Sequence, residues 1–412
     1  MSSTARTESF DVIVIGGGIM GLASGCYLSR VGKRVLVLEK GEFGSGASGA
    51  CDDMILLQSK KPGLTLDMAF ESLGMYQTLG AELDTELELQ TLGGMIMIES
   101  QKHLQIMEEF VDSQRRCGLD VEIVSRKELR RRQPHVNEIF IASTYSPKDS
   151  QVNPFRVMYG YQKAGQKLGM ELQRRTEVTA IEQSGSGSWI VQDAQGGRYQ
   201  AEVVLNAAGA WAPLIGRMVG VDIPIVPKRG QLIITEEVPP IGETNAWSAE
   251  YIVTKLKPEL AQPREEGLEK MGLGFSFSRT SDGNYFIGST REEVGYDKGT
   301  TFEALQAEAA QAMEFFPILK HVHIIRHIAG LRPASSDGKP IIGEHPERPG
   351  FFTAAGHEGD GIALAPVTGK IVSQLICAEK PLIDVEELSP GRFSHRGVEV
   401  EIGSKENVRS SS

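Results

Sequence analysis

The chain has 412 residues, 40% hydrophobic and 24% charged, with 46 Gly and 19 Pro, which predicts two or three domains around a sizeable core and excludes a mini-protein, an isolated binding module and long disorder. Lys and Arg number 43 against 54 Asp and Glu, a net charge of −11; a field of that sign repels phosphate backbones and anionic lipid heads, so neither nucleic acid nor a membrane surface is an expected partner. Four scattered cysteines without a CxxC pair, no signal-like segment and no apolar run near the roughly 18 to 20 residues of a membrane span point to a soluble protein of the reducing cytoplasm, with no motif for an iron–sulfur cluster.

The first informative segment is DVIVIGGGIMGLASGCYLSRVGKRVLVLEK, residues 11–40. Asp11 to Ile15 is a near-continuous β-branched run, the pattern of a strand buried on both faces of a parallel sheet. Leu22 to Arg30 reads as a helix and Lys33 to Leu38 as a second strand, a βαβ unit whose turn carries Gly16, Gly18 and Gly21 as GxGxxG. In that context Gly16 makes the tight turn, Gly18 lets backbone approach a pyrophosphate beside Ile19 and Met20, and Gly21 lets helix and strand pack closely. The helix N-terminus turns its unpaired N–H groups toward the phosphates. Glu39, 18 positions after Gly21 and followed by Lys40, is placed to accept from ribose hydroxyls and disfavours a 2′-phosphate, so the dinucleotide is FAD or NAD rather than NADP.

GEFGSGASGACDDM, residues 41–54, reads as a second wall of amides and hydroxyls, with Ser48 and Gly49 near the pyrophosphate. A helix over Leu64 to Leu83, a strand over Gly93 to Ile98 and a helix over Lys102 to Arg116 follow. Next comes a short helix opened by a capping box of Ser125 and Glu128, whose charge run Arg126 to Arg132 reads as a solvated face. Asn153 to Leu168 is another helix, Thr176 to Glu182 and Ser188 to Gln192 form a strand pair, and Ala201 to Ala212 returns to the parallel sheet through Ala208 and Gly209. From Pro227 to His327 the pattern changes to short strands (RGQLIIT, EYIVTK, LGFSFSRT, NYFIGST) with a helix over Thr301 to Phe316, the signature of a mixed sheet. The C-terminal part restores a loop, a strand, a glycine loop and a helix to about Cys377, and residues 404–412 read as a disordered tail.

FAD, longer than NAD and ending in an isoalloxazine, needs distant chain segments to close around it, and GHEGDGI, Gly356 to Ile362 with Gly359 and Gly361, is such a segment. A helix N-terminus there stabilises the negative charge that builds on a reduced flavin. Arg332, between Gly330 and Pro333 on what reads as a rigid loop, has two readings: a bidentate grip on a substrate carboxylate, or a salt bridge with an acid such as Asp337. Tyr251, Tyr285 and His357 are further pocket candidates. His321, His323 and His327 read as one face of a strand, but no carboxylate or cysteine has matching spacing, so no metal is expected. Nor is there a P-loop, GxSxG or HExxH.

The ordered set VIVIGGGIMGLASGCYLSRVGKRVLVLEK, VNPFR, VVLNAAGAWA, PKRGQLI, IGSTREEVGYD, GLRPASSDGKPIIG and AAGHEGDGIALAPVTGK resembles the D-amino-acid oxidase family of FAD-dependent amine oxidoreductases over about residues 10 to 380. Within it the chain is most similar to glycine oxidase and the catalytic subunits of hydrogen cyanide synthase, opine oxidase and D-hydroxyproline dehydrogenase. The resemblance implies an α/β fold, with a Rossmann-type FAD domain assembled from residues 10–90, 145–225 and 328–385. An α+β substrate domain on a mixed sheet, 91–144 and 226–327, is inserted into it. It implies that Arg332 binds a substrate carboxylate and that backbone at Val178 meets the adenine end. Because the region near Arg332 lacks the cysteine that anchors flavin in monomeric sarcosine oxidases, it also implies noncovalent FAD.

One position departs from the family and four stay open. A tryptophan often found two residues before the glycine of GLRP is Ile328 here, and Asp52, Asp53, Lys60 and Lys61 have three open readings: flavin contact, partner contact or surface. The implied reaction is oxidation of a carboxylate-bearing amino acid or secondary amine by hydride transfer from the α-carbon to flavin N5, giving an imine that hydrolyses. A dehydrogenase with a companion electron-transfer subunit is favoured over a free-standing oxidase, and a homo-oligomer also stands. An FAD-bearing electron-relay subunit and an NAD-dependent dehydrogenase are the competing classes.

Overall fold

The computed structural model describes residues 7–257, 259 and 266–393; the tail expected at 404–412 lies outside them. Glu8–Ile15, Ile19–Arg30 and Val35–Leu38 form the βαβ unit, its two strands paired in parallel from Val12↔Val35 to Ile15↔Leu38. Around it an eight-stranded sheet runs in the order Ile341–His345, Arg348–Ala355, Arg198–Asn206, Glu8–Ile15, Val35–Leu38 and Glu171–Gln173, with Trp189–Asp193 and Val178–Gln183 folded back beside Arg198–Asn206. Its central pairings are parallel. The βαβ strands carry apolar side chains on both faces because helices cover one side and a second apolar cluster fills the other.

The covering layer holds Ile19–Arg30, Leu64–Glu82, Pro154–Lys167 and Gly361–Ile376. Two helices meet closely where Gly369 faces Ala23: a Cβ on Gly369 would lie 2.9 Å from the Ala23 side chain. Only half of the expected capping box forms: Ser125 Oγ accepts from the Glu128 N–H at 3.3 Å, while the Glu128 carboxylate turns instead to Arg131 and Arg132.

A second eight-stranded sheet runs Ile324–Ser335, Ile225–Thr235, Tyr285–Gly288, Ser276–Arg279, Asn245–Ser248, Gly94–Ile98, Ala142–Tyr145 and Glu122–Ser125. It is mixed, since Asn245–Ser248 and Gly94–Ile98 pair in parallel and the other neighbours antiparallel. Helix Phe302–Phe315 packs beneath it, over a core in which Phe275, Phe277, Phe315 and Phe316 stack at ring-centroid distances from 4.2 to 6.1 Å.

Three local expectations are corrected. EYIVTK is not a strand but part of helix Ala249–Leu256. Ser248 caps it, and Ala249, Ile252, Val253 and Leu256, at helical spacing, turn toward helix Gln101–Arg116. GLRP is not a loop but lies inside strand Ile324–Ser335, paired along its length with Ile225–Thr235. The three histidines share no strand face: His321 ends the short helical turn Pro317–His321, while His323 meets Glu236 and His327 meets Glu308.

Candidate functional site

The two sheets enclose a cavity of about 490 Å³ whose wall is drawn from chain segments as far apart as Ile15 and Ile362. At one end lies the glycine turn. Gly16 adopts φ +115°, and a Cβ on it would lie 2.5 Å from the Ala207 carbonyl oxygen; a Cβ on Gly21 would lie 1.9 Å from the Gly16 carbonyl oxygen. Only glycine lets the first helix seat against the sheet this closely. Gly18 has free space on its cavity side except for the Ser48 hydroxyl, which accepts from the Ile19 N–H at 3.0 Å. The helix therefore presents amides and a hydroxyl rather than a side-chain cap, as a pyrophosphate requires.

Glu39 Oε2 accepts from the Gly17 N–H and Oε1 from the Gly41 N–H, each at 2.7 Å. This pins the carboxylate at the cavity wall. Lys40 lies 3.8 Å from the centre of the Trp211 ring, and Val178, Ala208 and Gly209 complete this end. Nothing lies within 4 Å of a Cβ built on Gly209 or Gly359. These open glycine backbones, two helix N-termini at Ile19 and Gly361, and an acid at the end of the second strand fit an extended dinucleotide such as FAD.

At the other end stands Arg332. Its Nη1 donates to the Thr290 carbonyl at 2.9 Å and its Nη2 to Ser289 Oγ at 2.6 Å. Both partners are neutral, and among the described residues the guanidinium has no ion pair. The salt-bridge reading with Asp337 is overturned, because Asp337 is held by Arg392 at 2.8 Å. Gly230, opposite Gly330 on the neighbouring strand, makes the room: a Cβ there would lie 2.1 Å from Arg332 Nη1. Burial, followed by the nearby Arg291 charge, works against the Arg332 charge, while Tyr251, Asp52 and Glu308 favour it. A cation so placed lacks only an anion.

Arg291 pairs with Glu358 and donates to the Tyr251 hydroxyl. Buried Lys60, with a side chain 2% exposed, donates to Asp360 Oδ1 at 2.8 Å. His357 Nε2 lies 3.1 Å from Thr368 Oγ1, and burial pushes the imidazole down to about 4, so it is neutral near pH 7. Cys51, distant in sequence from the GLRP motif, also reaches the wall; its thiol donates to the Ser48 carbonyl at 3.4 Å and burial pushes it up to about 12.

Arg332, His357, Tyr251, Gly16, Gly18, Ile19, Met20, Glu39, Lys40, Ser48, Val178, Ala208, Gly209, Gly330, Gly359, Gly361 and Ile362 all line the cavity. Four expected residues do not. Tyr285 is fully buried behind it, with its hydroxyl accepting from the Ile241 N–H at 2.7 Å and its ring stacked on Phe277. Gly21 serves the helix–strand contact, Gly49 packs against Gly44 and Phe155, and Gly356 faces Ile341 and Ser335. Sequence reasoning missed Gly230, Ser289, Thr290, Arg291 and Glu358, although PKRGQLI, IGSTREEVGYD and GHEGDGI contain them. It left Asp52 and Lys60 open, and both are at or against the wall. Lys61 is exposed and Asp53 is buried off the cavity. Among the described residues no group of three His, Cys, Asp or Glu could hold a metal, and no helix is long and apolar enough to cross a membrane.

The profile of the family described as DAO, FAD dependent oxidoreductase, matches residues 11–375. The chain is 28% identical over 392 residues to glycine oxidase of Geobacillus kaustophilus, covering 93% of this chain and 97% of that one. It is 25% identical over 428 residues to hydrogen cyanide synthase subunit HcnC of Pseudomonas aeruginosa, with 94% and 97% covered. The crystal structure of the Geobacillus kaustophilus glycine oxidase superposes with a TM-score of 0.84 at 26% identity, covering 93% of this chain and 98% of that one. The glycine-lined cavity has the shape and donors an extended dinucleotide requires, and this chain belongs to the DAO family of FAD-dependent oxidoreductases.

Proposed function

We propose that the protein oxidises a small amino acid or secondary amine bearing a carboxylate, of the glycine, sarcosine, proline, hydroxyproline or opine type. The observation that carries this reading is Arg332: a guanidinium held by two neutral oxygens, without an acid partner among the described residues, in the same cavity as the dinucleotide-binding glycines. Similarity to glycine oxidase and to a hydrogen cyanide synthase subunit supports it.

FAD, when bound, supplies the two-electron oxidant that takes a hydride from the substrate α-carbon. The chain's own residues do the positioning. Arg332, oriented by the Thr290 carbonyl and Ser289 Oγ, grips the carboxylate and sets the distance of the α-carbon from the cofactor. Ile96, Trp247 and Phe275 form apolar wall that excludes water. The oxidised substrate leaves as an imine and hydrolyses in solvent. Gly16, Gly18, Ser48 and Glu39 hold the dinucleotide end, and the absence of a cysteine beside Arg332 in the sequence supports noncovalent binding.

Transfer of electrons to a companion subunit is favoured over oxygen, on the likeness to a protein described as a subunit; the likeness to glycine oxidase favours a free-standing oxidase as the second reading. A panel of glycine, sarcosine, both prolines, hydroxyproline and an opine, scored for peroxide and for artificial-dye reduction, separates the two. In the same assay Arg332→Ala lowers kcat/KM by about a hundredfold, since a buried charge-assisted hydrogen-bonded pair contributes a few kcal/mol. Unchanged kinetics in that variant rules out the clamp.

A further inference from the structure

Taken charge by charge, the Arg332 end of the cavity is mostly neutralised. Arg291 is paired with Glu358, and Lys60 with Asp360. Two wall residues stand apart from these pairs: Arg332 and Asp52, for neither of which an ion pair exists among the described residues. Asp52 comes from the segment between the glycine loop and Met54–Ile55, and its carboxylate faces Ser276 and the Arg332 charge. The two are near enough for each to favour the other's ionised form. A cavity presenting one unmatched cation and one unmatched anion is complementary to a zwitterion, whose two ends would satisfy both.

We propose that Asp52 binds the amine nitrogen of the substrate and takes up its proton. This rests on the carboxylate-binding role given to Arg332 and defines the substrate further: it enters as an ammonium carboxylate rather than as a free amine. The proton balance is simple. An N–H⁺ proton passes to an Asp52 carboxylate oxygen, leaving a neutral amine with its lone pair. The α-carbon hydrogen then leaves with its electron pair to FAD, the lone pair closes C=N, and Asp52 returns its proton to solvent. Burial pushes the Asp52 carboxyl up, as suits an acceptor for an ammonium proton. The charged or titratable groups facing it are Arg332, Asp360, Cys51 and Asp53; the Cys51 thiol lies near 12, and burial holds Asp53, beside Ser278, well above the usual carboxylate range.

The test compares wild type, Asp52→Asn, Asp52→Glu and Arg332→Ala, each loaded with FAD. Two readouts are used: the rate of anaerobic flavin bleaching by the best amine of the panel across pH 5 to 10, and the binding of acetate and tetrahydrofuran-2-carboxylate, which lack the amine, followed by flavin absorbance. Asp52→Asn is expected to slow bleaching by about a hundredfold and to abolish a one-proton acid limb present in wild type. The same variant binds the amine-free carboxylates as tightly as wild type or more so, because a negative charge has left the neighbourhood of Arg332. Asp52→Glu keeps the limb, shifted in pH.

The proposal is overturned if Asp52→Asn bleaches at the wild-type rate, if it loses FAD or carboxylate binding, or if the wild-type profile has no acid limb. The last arm needs no variant. Failure of the Arg332 reading shows separately, as wild-type acetate binding by Arg332→Ala.

Discussion

At the scale of single residues, side chains here acquire their properties from what burial leaves them. Glu308 is 1% exposed, with His327 Nε2 2.9 Å from its Oε2, and burial pushes its carboxyl up to about 7. The folded chain therefore binds a proton that the unfolded chain, with an ordinary carboxyl near 4.3, has already released. The contribution of Glu308 to stability is fully present below about pH 4.3 and is lost as pH rises through 7, a loss of roughly 4 kcal/mol. Glu308→Gln, neutral throughout, should thus raise the melting temperature relative to wild type by more at pH 8 than at pH 5. Calorimetry at the two pH values checks this, and an equal difference at both counts against it.

At the scale of elements, the βαβ turn is the most tightly specified part of the chain. Gly21→Ala would drive a methyl into the Gly16 carbonyl, whose residue already occupies φ +115°, so the first helix must move off the sheet. Overpacking of this kind costs about 1 to 3 kcal/mol, and here the displaced element is the one whose N-terminus faces the cavity. The expected result is a lower melting temperature together with loss of most of the flavin on purification, read from the ratio of visible to ultraviolet absorbance. A variant that keeps its full flavin complement argues against the close approach. Helix Ala249–Leu256 carries a different lesson. Six residues rich in Tyr, Ile, Val and Thr fit a strand locally, yet the apolar spacing at 249, 252, 253 and 256 fits the face of helix Gln101–Arg116 better.

At the scale of the whole molecule, the cavity is a joint between the two sheets, walled by segments on both sides. A ligand that fills it holds those segments together, so binding energy becomes folding energy. Adding FAD at 100 times its Kd should stabilise the protein by about 2.7 kcal/mol. The melting temperature of flavin-depleted protein should accordingly rise with FAD concentration. Riboflavin, which lacks the pyrophosphate and adenine, should raise it less. Calorimetry over an FAD titration checks this, and a melting temperature independent of FAD removes the cavity from the account.

Local pattern was enough to read the parallel βαβ unit, the glycine turn, the acid at position 39 and the helix N-cap at Ser125, because each is a contact among residues close in the chain. The joint occurrence of the GLRP and GHEGDGI motifs also marked Arg332 and the last helix. The partners of Arg332 were another matter. That GLRP runs as a strand, that Gly230 clears a place for the guanidinium, and that Ser289 and Thr290 orient it depend on pairings more than forty residues apart. Tyr285 shows the converse: a plausible pocket residue on its strand, it is turned into the aromatic core by the pairing of that strand with Ser276–Arg279. Side-chain type sets what a residue is able to bind, but which charges remain unmatched in a cavity is a property of the closed fold, since every neutralising partner is delivered by chain folding from far away.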